Sequence, residues 1–279
     1  MSPGNIRTVL VYGTVNLLAA GATSPIPLNR GAIFTEGATI TTDSGGLAFL
    51  VLSNGIKLFL GPDSELTITL FKQAPFTAAA TGDYLRLNQD PSKSSAVFSL
   101  KRGGLTGQAL LSTATGSTAT LETIAGIINL RSGGVFRITV LPTTGKPDLI
   151  ETIYGLTSFL SFTPGIIAPG VVTQESIGIS ERLVATATPL ASGALGSLSY
   201  SFQPPNSSAD QALIAEFYNM LNTVRAADGL PPISPPIIYV SSSPSSSASY
   251  PFIVPFSTLS SPPPPPTPPS PPTSPARVP

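Results

Sequence analysis

The feature that most constrains the fold is the run Ile40–Ile68, where apolar stretches are separated by turn residues at hairpin spacing. In order it reads Ile40-Thr41-Thr42, Asp43-Ser44-Gly45-Gly46, Leu47–Leu52, Ser53-Asn54-Gly55, Ile56–Leu60, Gly61-Pro62-Asp63-Ser64 and Leu66-Thr67-Ile68. Asn54-Gly55 between two apolar runs is the strongest short hairpin cue, because both residues accept positive φ and set a two-residue primed turn that matches strand twist. Leu66–Leu70 then places an apolar residue at every second position, the period of a strand. A chain carrying this pattern folds as antiparallel β-structure.

The pattern extends in both directions. Downstream, Ala96–Leu100, Leu105–Leu111, Thr118–Ile124, Gly126–Leu130 and Val135–Val140 read as strands, with Lys101-Arg102-Gly103-Gly104 as a linking turn. Residues 74–95 read as loop with a strand over Tyr84–Leu87, since Pro75, Gly82 and Asp90-Pro91 interrupt any longer period. Upstream, Arg7 precedes the apolar stretch Thr8–Ala20, and Ala20-Gly21-Ala22 has the form of a leader cleavage site. The alternation of Val9, Val11, Val15 and Leu17 and the interruptions at Tyr12, Gly13 and Asn16 favour a first strand instead. Between Leu141 and Tyr200, strands over Ile150–Tyr154, Ser158–Phe162, Gly165–Thr173, Ile177–Ala187 and Ser197–Phe202 complete the sheet or add a second layer.

One helix follows. Ser208-Ala209-Asp210-Gln211 is a capping box, Leu213, Ile214, Phe217, Leu221 and Val224 recur at helical spacing, and Asp228-Gly229 with Pro231-Pro232 stops the run. From Pro231 the chain turns to Pro and Ser, ending in the proline run Pro262–Pro272, which fixes φ, removes amide donors and forms a polyproline II rod or spacer. The expected fold is therefore all-β, a sandwich or solenoid-like stack of short antiparallel strands, plus one C-terminal amphipathic helix and a polyproline tail. The divisions are a β domain over 1–140, a β extension over 141–205, the helix over 206–230 and the tail over 231–279.

The chemistry of the chain is narrow. It has no histidine, cysteine or tryptophan, which removes the side chains that carry most acid-base, nucleophilic and transition-metal work near neutral pH. Asp63, Ser64 and Glu65 sit in turn context, Asp83, Asp90, Asp148 and Glu151 are scattered, and no spacing matches a hard-cation loop. The expectation is a non-enzymatic chain with no cofactor and no metal. Only 10% of its 279 residues are charged and the fourteen acidic and fourteen basic groups cancel, against about 25% charged in an average domain. No field steers it to nucleic acid, and no segment holds the ~18 apolar residues of a membrane span.

At Ile40–Ile68 and Ala96–Val140 the sequence resembles the FecR-type β domain of bacterial envelope proteins. The likeness lies in the rhythm of "ITTDSGGLAFLVLSNGIKLFLGPDSELTI": an apolar strand, an N/D-G hairpin, a second apolar strand and an S-x-L-x-I strand. It continues in "FSLKRGGLTGQAL" and "TATLETIAGIINLRSGGVFRITV", with Leu130-Arg131-Ser132-Gly133-Gly134-Val135-Phe136 standing where the family has an I-R-G-T-x-F-like motif. The resemblance implies an extracytoplasmic module on the cell surface, in the periplasm or secreted. It also implies a link to sigma-factor signalling, a role that in that family uses a cytoplasmic segment and a membrane span ahead of the domain.

Two functions follow as expectations. The first is a self-assembling structural protein of filament or surface-layer type, whose copies join through β edges and the apolar island before the tail, at Tyr250, Phe252, Ile253, Val254 and Phe256. Its partners are copies of itself, with glycans on the Ser/Thr/Pro tail; Asn206-Ser207-Ser208 is a sequon that doubles as the helix-capping turn. The alternative is a periplasmic signal- or ligand-binding module of a FecR-like regulatory system.

Overall fold

The computed structural model describes residues 1–76, 83–112, 114–123, 126–130, 134–140, 149–155, 160–164, 175–177, 182–189, 195–203 and 207–235. Its strands are β1 (Ser2–Pro3), β2 (Ile6–Tyr12), β3 (Val15–Leu18), β4 (Ile26–Pro27), β5 (Ile33–Phe34), β6 (Thr39–Thr42), β7 (Leu47–Leu52), β8 (Lys57–Leu60) and β9 (Glu65–Gln73). They continue as β10 (Ser94–Ala109), β11 (Thr118–Glu122), β12 (Gly126–Leu130), β13 (Gly134–Val140), β14 (Leu149–Gly155), β15 (Leu160–Pro164), β16 (Glu175–Ile177), β17 (Arg182–Pro189) and β18 (Leu195–Gln203). Among the described residues one α-helix, α1 (Ser207–Ala227), follows.

These strands form a curled, antiparallel half-barrel of two sheets. Sheet A runs β4-β3-β6-β9-β10-β11-β12-β15-β16, with β1 beside the far end of β9. Sheet B runs β5-β2-β7-β8-β10-β13-β14-β17-β18. Among the described residues every pairing is antiparallel except β10 with β11.

The long strand β10 belongs to both sheets. Its first half pairs with β9, and its second half pairs with β8 and β13. Ala96, Phe98 and Leu100 face the interior from even positions, whereas Leu105 and Ala109 face it from odd ones. The parity changes at a register shift between Leu100 and Arg102 and at Gly103, whose φ is +88°. A strand that crosses from one sheet to the other must bend and still keep its apolar face inward, and a bulge beside a left-handed glycine does both. The Lys101–Gly104 turn expected from sequence is therefore a corner within one continuous strand.

Two apolar layers result. Between the sheets lie Leu17, Ile40, Leu66, Ile68, Phe71, Phe98, Leu121 and Ile128 from sheet A, against Ile6, Leu50, Leu52, Leu58, Leu60, Leu105, Phe136 and Ile138 from sheet B. The outward face of sheet B carries Val9, Phe49, Val51, Phe59 and Val135, and α1 covers it with Ile214, Phe217, Tyr218, Leu221 and Val224. Strand β7 is thus buried on both faces, which accounts for its unbroken Leu-Ala-Phe-Leu-Val-Leu sequence.

The hairpin between β7 and β8 departs from the expected two-residue turn. Ile56 accepts the Leu52 amide at 2.9 Å, Gly55 donates to Leu52 O at 2.9 Å, and only Gly55 takes a positive φ, +88°. This is a three-residue loop ending in a left-handed glycine. Asn54 is held elsewhere: wholly buried, it donates through Nδ2 to Ser94 Oγ at 3.0 Å and accepts the Ile56 amide on Oδ1 at 3.2 Å. Gly55→Val is expected to lower stability by about 1–2 kcal/mol, the cost of a left-handed conformation for a residue with a Cβ. Urea unfolding measures it, and an unchanged midpoint would contradict the assignment.

The helix is close to its sequence reading, beginning at Ser207, one residue ahead of the Ser208 cap that the sequence suggests. It ends in a Schellman motif: Gly229, at φ +69°, donates to Ala226 O at 3.0 Å, and Leu230 donates to Arg225 O at 2.8 Å. Leu230 closes the apolar contact of that motif from within the outer layer. Among the described residues no helix is long and apolar enough to cross a membrane.

Candidate functional site

Strand alternation directs Leu58 and Leu60 to the interior and leaves Lys57 and Phe59 on the outward face of sheet B. A lysine at such a position is normally solvated, yet Lys57 is only 2% exposed. Two elements distant in sequence bury it. One is a strap whose 3-10 turn, Tyr84–Arg86, replaces the strand expected over Tyr84–Leu87 because its amides bond locally, Leu87 N to Tyr84 O at 3.3 Å. The other is the C-terminal half of α1, which places Arg225 beside Lys57.

Both cations end on carbonyl groups. Lys57 Nζ donates to Gly55 O and to Leu87 O, each at 3.3 Å. Arg225 Nη1 donates to Leu85 O at 3.0 Å, and its Nε donates to Pro231 O at 2.9 Å. The two side chains thus satisfy strap carbonyls that the short 3-10 turn leaves unpaired. No carboxylate among the described residues forms an ion pair with either. Burial, with the neighbouring Arg225 charge adding to it, holds the Lys57 amine down to about 8.

Beyond its apolar layer the cover is fastened at the rim by ion pairs and hydrogen bonds, which form and break with little cost. Asp228, just past the helix, pairs with Arg30 at 2.8 Å and Arg7 at 3.7 Å, and Glu216 pairs with Arg137 at 3.5 Å. Tyr218 accepts a hydrogen bond from Gln108 Nε2 at 3.2 Å, and Asn222 bonds both the amide and the carbonyl of Ile233. The arrangement is a cationic joint between hairpin, strap and helix. It has no nucleophile set against a base, and no group of three acidic or other metal-ligating residues converges among the described residues.

The groups singled out in the sequence are placed elsewhere. Asp63 takes a left-handed turn position at φ +50°, buried Ser64 bonds the Gly104 amide at 2.9 Å, and Glu65 pairs with Lys101 and Arg102. Asp83 pairs with Arg86, and Asp90 accepts the Ser112 amide and the Thr115 hydroxyl. The side chains of Asp148 and Glu151, the sequon asparagine and the island residues Tyr250, Phe252, Ile253, Val254 and Phe256 lie outside the described residues. Sequence reasoning missed Lys57 and Arg225. The available cue was Arg225 itself, four residues after Leu221 on the apolar stripe of the helix.

No family model matches the sequence, so the FecR-type likeness stays one of turn spacing. No curated protein matches it. Two crystal structures of a "putative anti-sigma factor" from Parabacteroides distasonis align with the fold. One is 10% identical with a TM-score of 0.38 over 67% of this chain and 74% of that chain. The other is 11% identical with a TM-score of 0.37 over 65% and 73%.

Proposed function

We propose that this chain is a non-catalytic, extracytoplasmic regulatory module that binds a signal or ligand, with α1 as its movable cover. The observation that supports the reading is the joint at Lys57 and Arg225. Two like charges buried without a carboxylate lower the stability of the closed form, and an apolar pair of similar volume fills such a space at lower cost. In this reading a second, open state returns both charges to water and relieves that cost. The self-assembly reading rests on β edges and on residues 250–256, which lie outside the described residues, and no observation among the described residues supports it.

Hydrogen exchange on the full chain tests the proposal. The amides of α1 are expected to exchange at least about tenfold faster than those of β7 and β8, through an opening that leaves the sheets intact. Equal rates in helix and sheet would mean that α1 is an integral core element, and the cover reading would fall.

A further inference from the structure

We infer that the charge on Lys57 sets how tightly α1 and the Tyr84–Leu87 strap close on sheet B, so that loss of one proton at a buried amine tightens the cover. The inference rests on the cover reading above and adds the input that the cover answers to.

Three separate elements meet at this amine. The hairpin offers Gly55 O, the strap offers Leu87 O, and α1 brings Arg225. An ammonium has three N–H donors and a neutral amine has two. Two carbonyls accept, so the neutral form keeps both hydrogen bonds while the desolvation cost and the repulsion from Arg225 disappear.

The other ionisable groups on the surrounding elements are engaged elsewhere. On the helix side, Glu216 is paired with Arg137, Asp228 with Arg7 and Arg30, and the Tyr218 hydroxyl with Gln108. On the strap side, Asp83 and Arg86 pair with each other, and Asp90 is held by Ser112 and Thr115. Nothing in this set supplies Lys57 with a counter-charge.

The sign follows from linkage. In the closed form the amine titrates at about 8, and in the open form it meets water and regains its ordinary 10.5. Between these values the closed form binds fewer protons than the open one, so closure strengthens as pH rises, by up to about tenfold per pH unit. Below about pH 8 both forms are protonated and the effect is absent. Burial raises the Tyr218 hydroxyl above its usual value, which opposes closure only when the pH passes 10.

The test is hydrogen exchange of the full chain at pH 7 and pH 9, for the wild type and Lys57→Met, with each α1 rate divided by the rate of an unstructured reference peptide at the same pH. The wild-type protection factor across residues 214–224 is expected to rise by about tenfold between the two pH values, and that of Lys57→Met to stay constant. A flat wild-type protection factor overturns the coupling whether or not the variant folds. An equal rise in Lys57→Met overturns it too, because the sensitivity then belongs to another group. Joint exchange of α1 with β7 and β8 would instead defeat the cover reading and this inference with it, whereas a flat pH ratio with α1 exchanging ahead of the sheets defeats the coupling alone.

Discussion

Phe217→Ala is expected to destabilise the fold by about 3–5 kcal/mol, the usual cost of emptying a fully buried aromatic site. Phe217 has no exposed surface and lies at the centre of the outer layer. Its ring stacks on Phe49 at 6.2 Å and meets the edge of Tyr218 at 5.7 Å. The floor of the site cannot close over the gap, because Phe49 and Phe59 stand on paired positions of the β7–β8 ladder. Collapse must come from the helix, which is tied at both ends of the contact by Glu216 and Asp228. Urea unfolding of the full chain measures the loss. A value below about 1 kcal/mol would show that α1 contributes little to the core, contrary to the packing described.

Gly103→Ala is the second large effect, with an expected loss of about 3 kcal/mol. A Cβ at this position would lie 2.0 Å from Ser64 Oγ and 2.4 Å from Ser64 Cα, on a backbone at φ +88°. The left-handed conformation costs about 1–2 kcal/mol for a residue with a side chain, and overpacking against backbone adds a further 1–3 kcal/mol. Ser64 cannot withdraw, since its hydroxyl bonds the Gly104 amide and its own amide donates to Thr42 Oγ1 at 2.8 Å. The neighbouring Gly104 is the control: a Cβ there meets nothing within 4 Å, and Gly104→Ala is expected to stay within about 0.5 kcal/mol of the wild type. Comparable losses in both variants would place the strain outside the corner.

What the sequence makes legible here is what local spacing decides. The apolar runs Leu47–Leu52 and Lys57–Leu60 between turn residues, the alternation of Leu66–Leu70 and the helical spacing of Ile214, Phe217, Leu221 and Val224 are local signals, and these elements stand where those signals put them. The failures come from partners far along the chain. Lys101-Arg102-Gly103-Gly104 has the composition of a turn, but ladders on either side carry the strand through it. Asn54 has the right type for a primed turn, yet a hydrogen bond to Ser94, forty residues on, fixes it otherwise. Lys57 occupies an outward position of a strand, and alternation is silent about what covers that face. Its burial is supplied by Leu85 and Leu87 and by a helix whose Arg225 contacts the strap across 140 residues.

The sharing of β10 bears on how the molecule fails under load. Two sheets joined only by loops can peel apart and give way one after the other. Here a single strand is laced between β9 and β11 at one end and between β8 and β13 at the other. Tension applied along it loads the β9 and β11 ladders at one end and the β8 and β13 ladders at the other, so a pull on one sheet is passed through the Gly103 corner to its neighbour. The two sheets are therefore loaded as a pair.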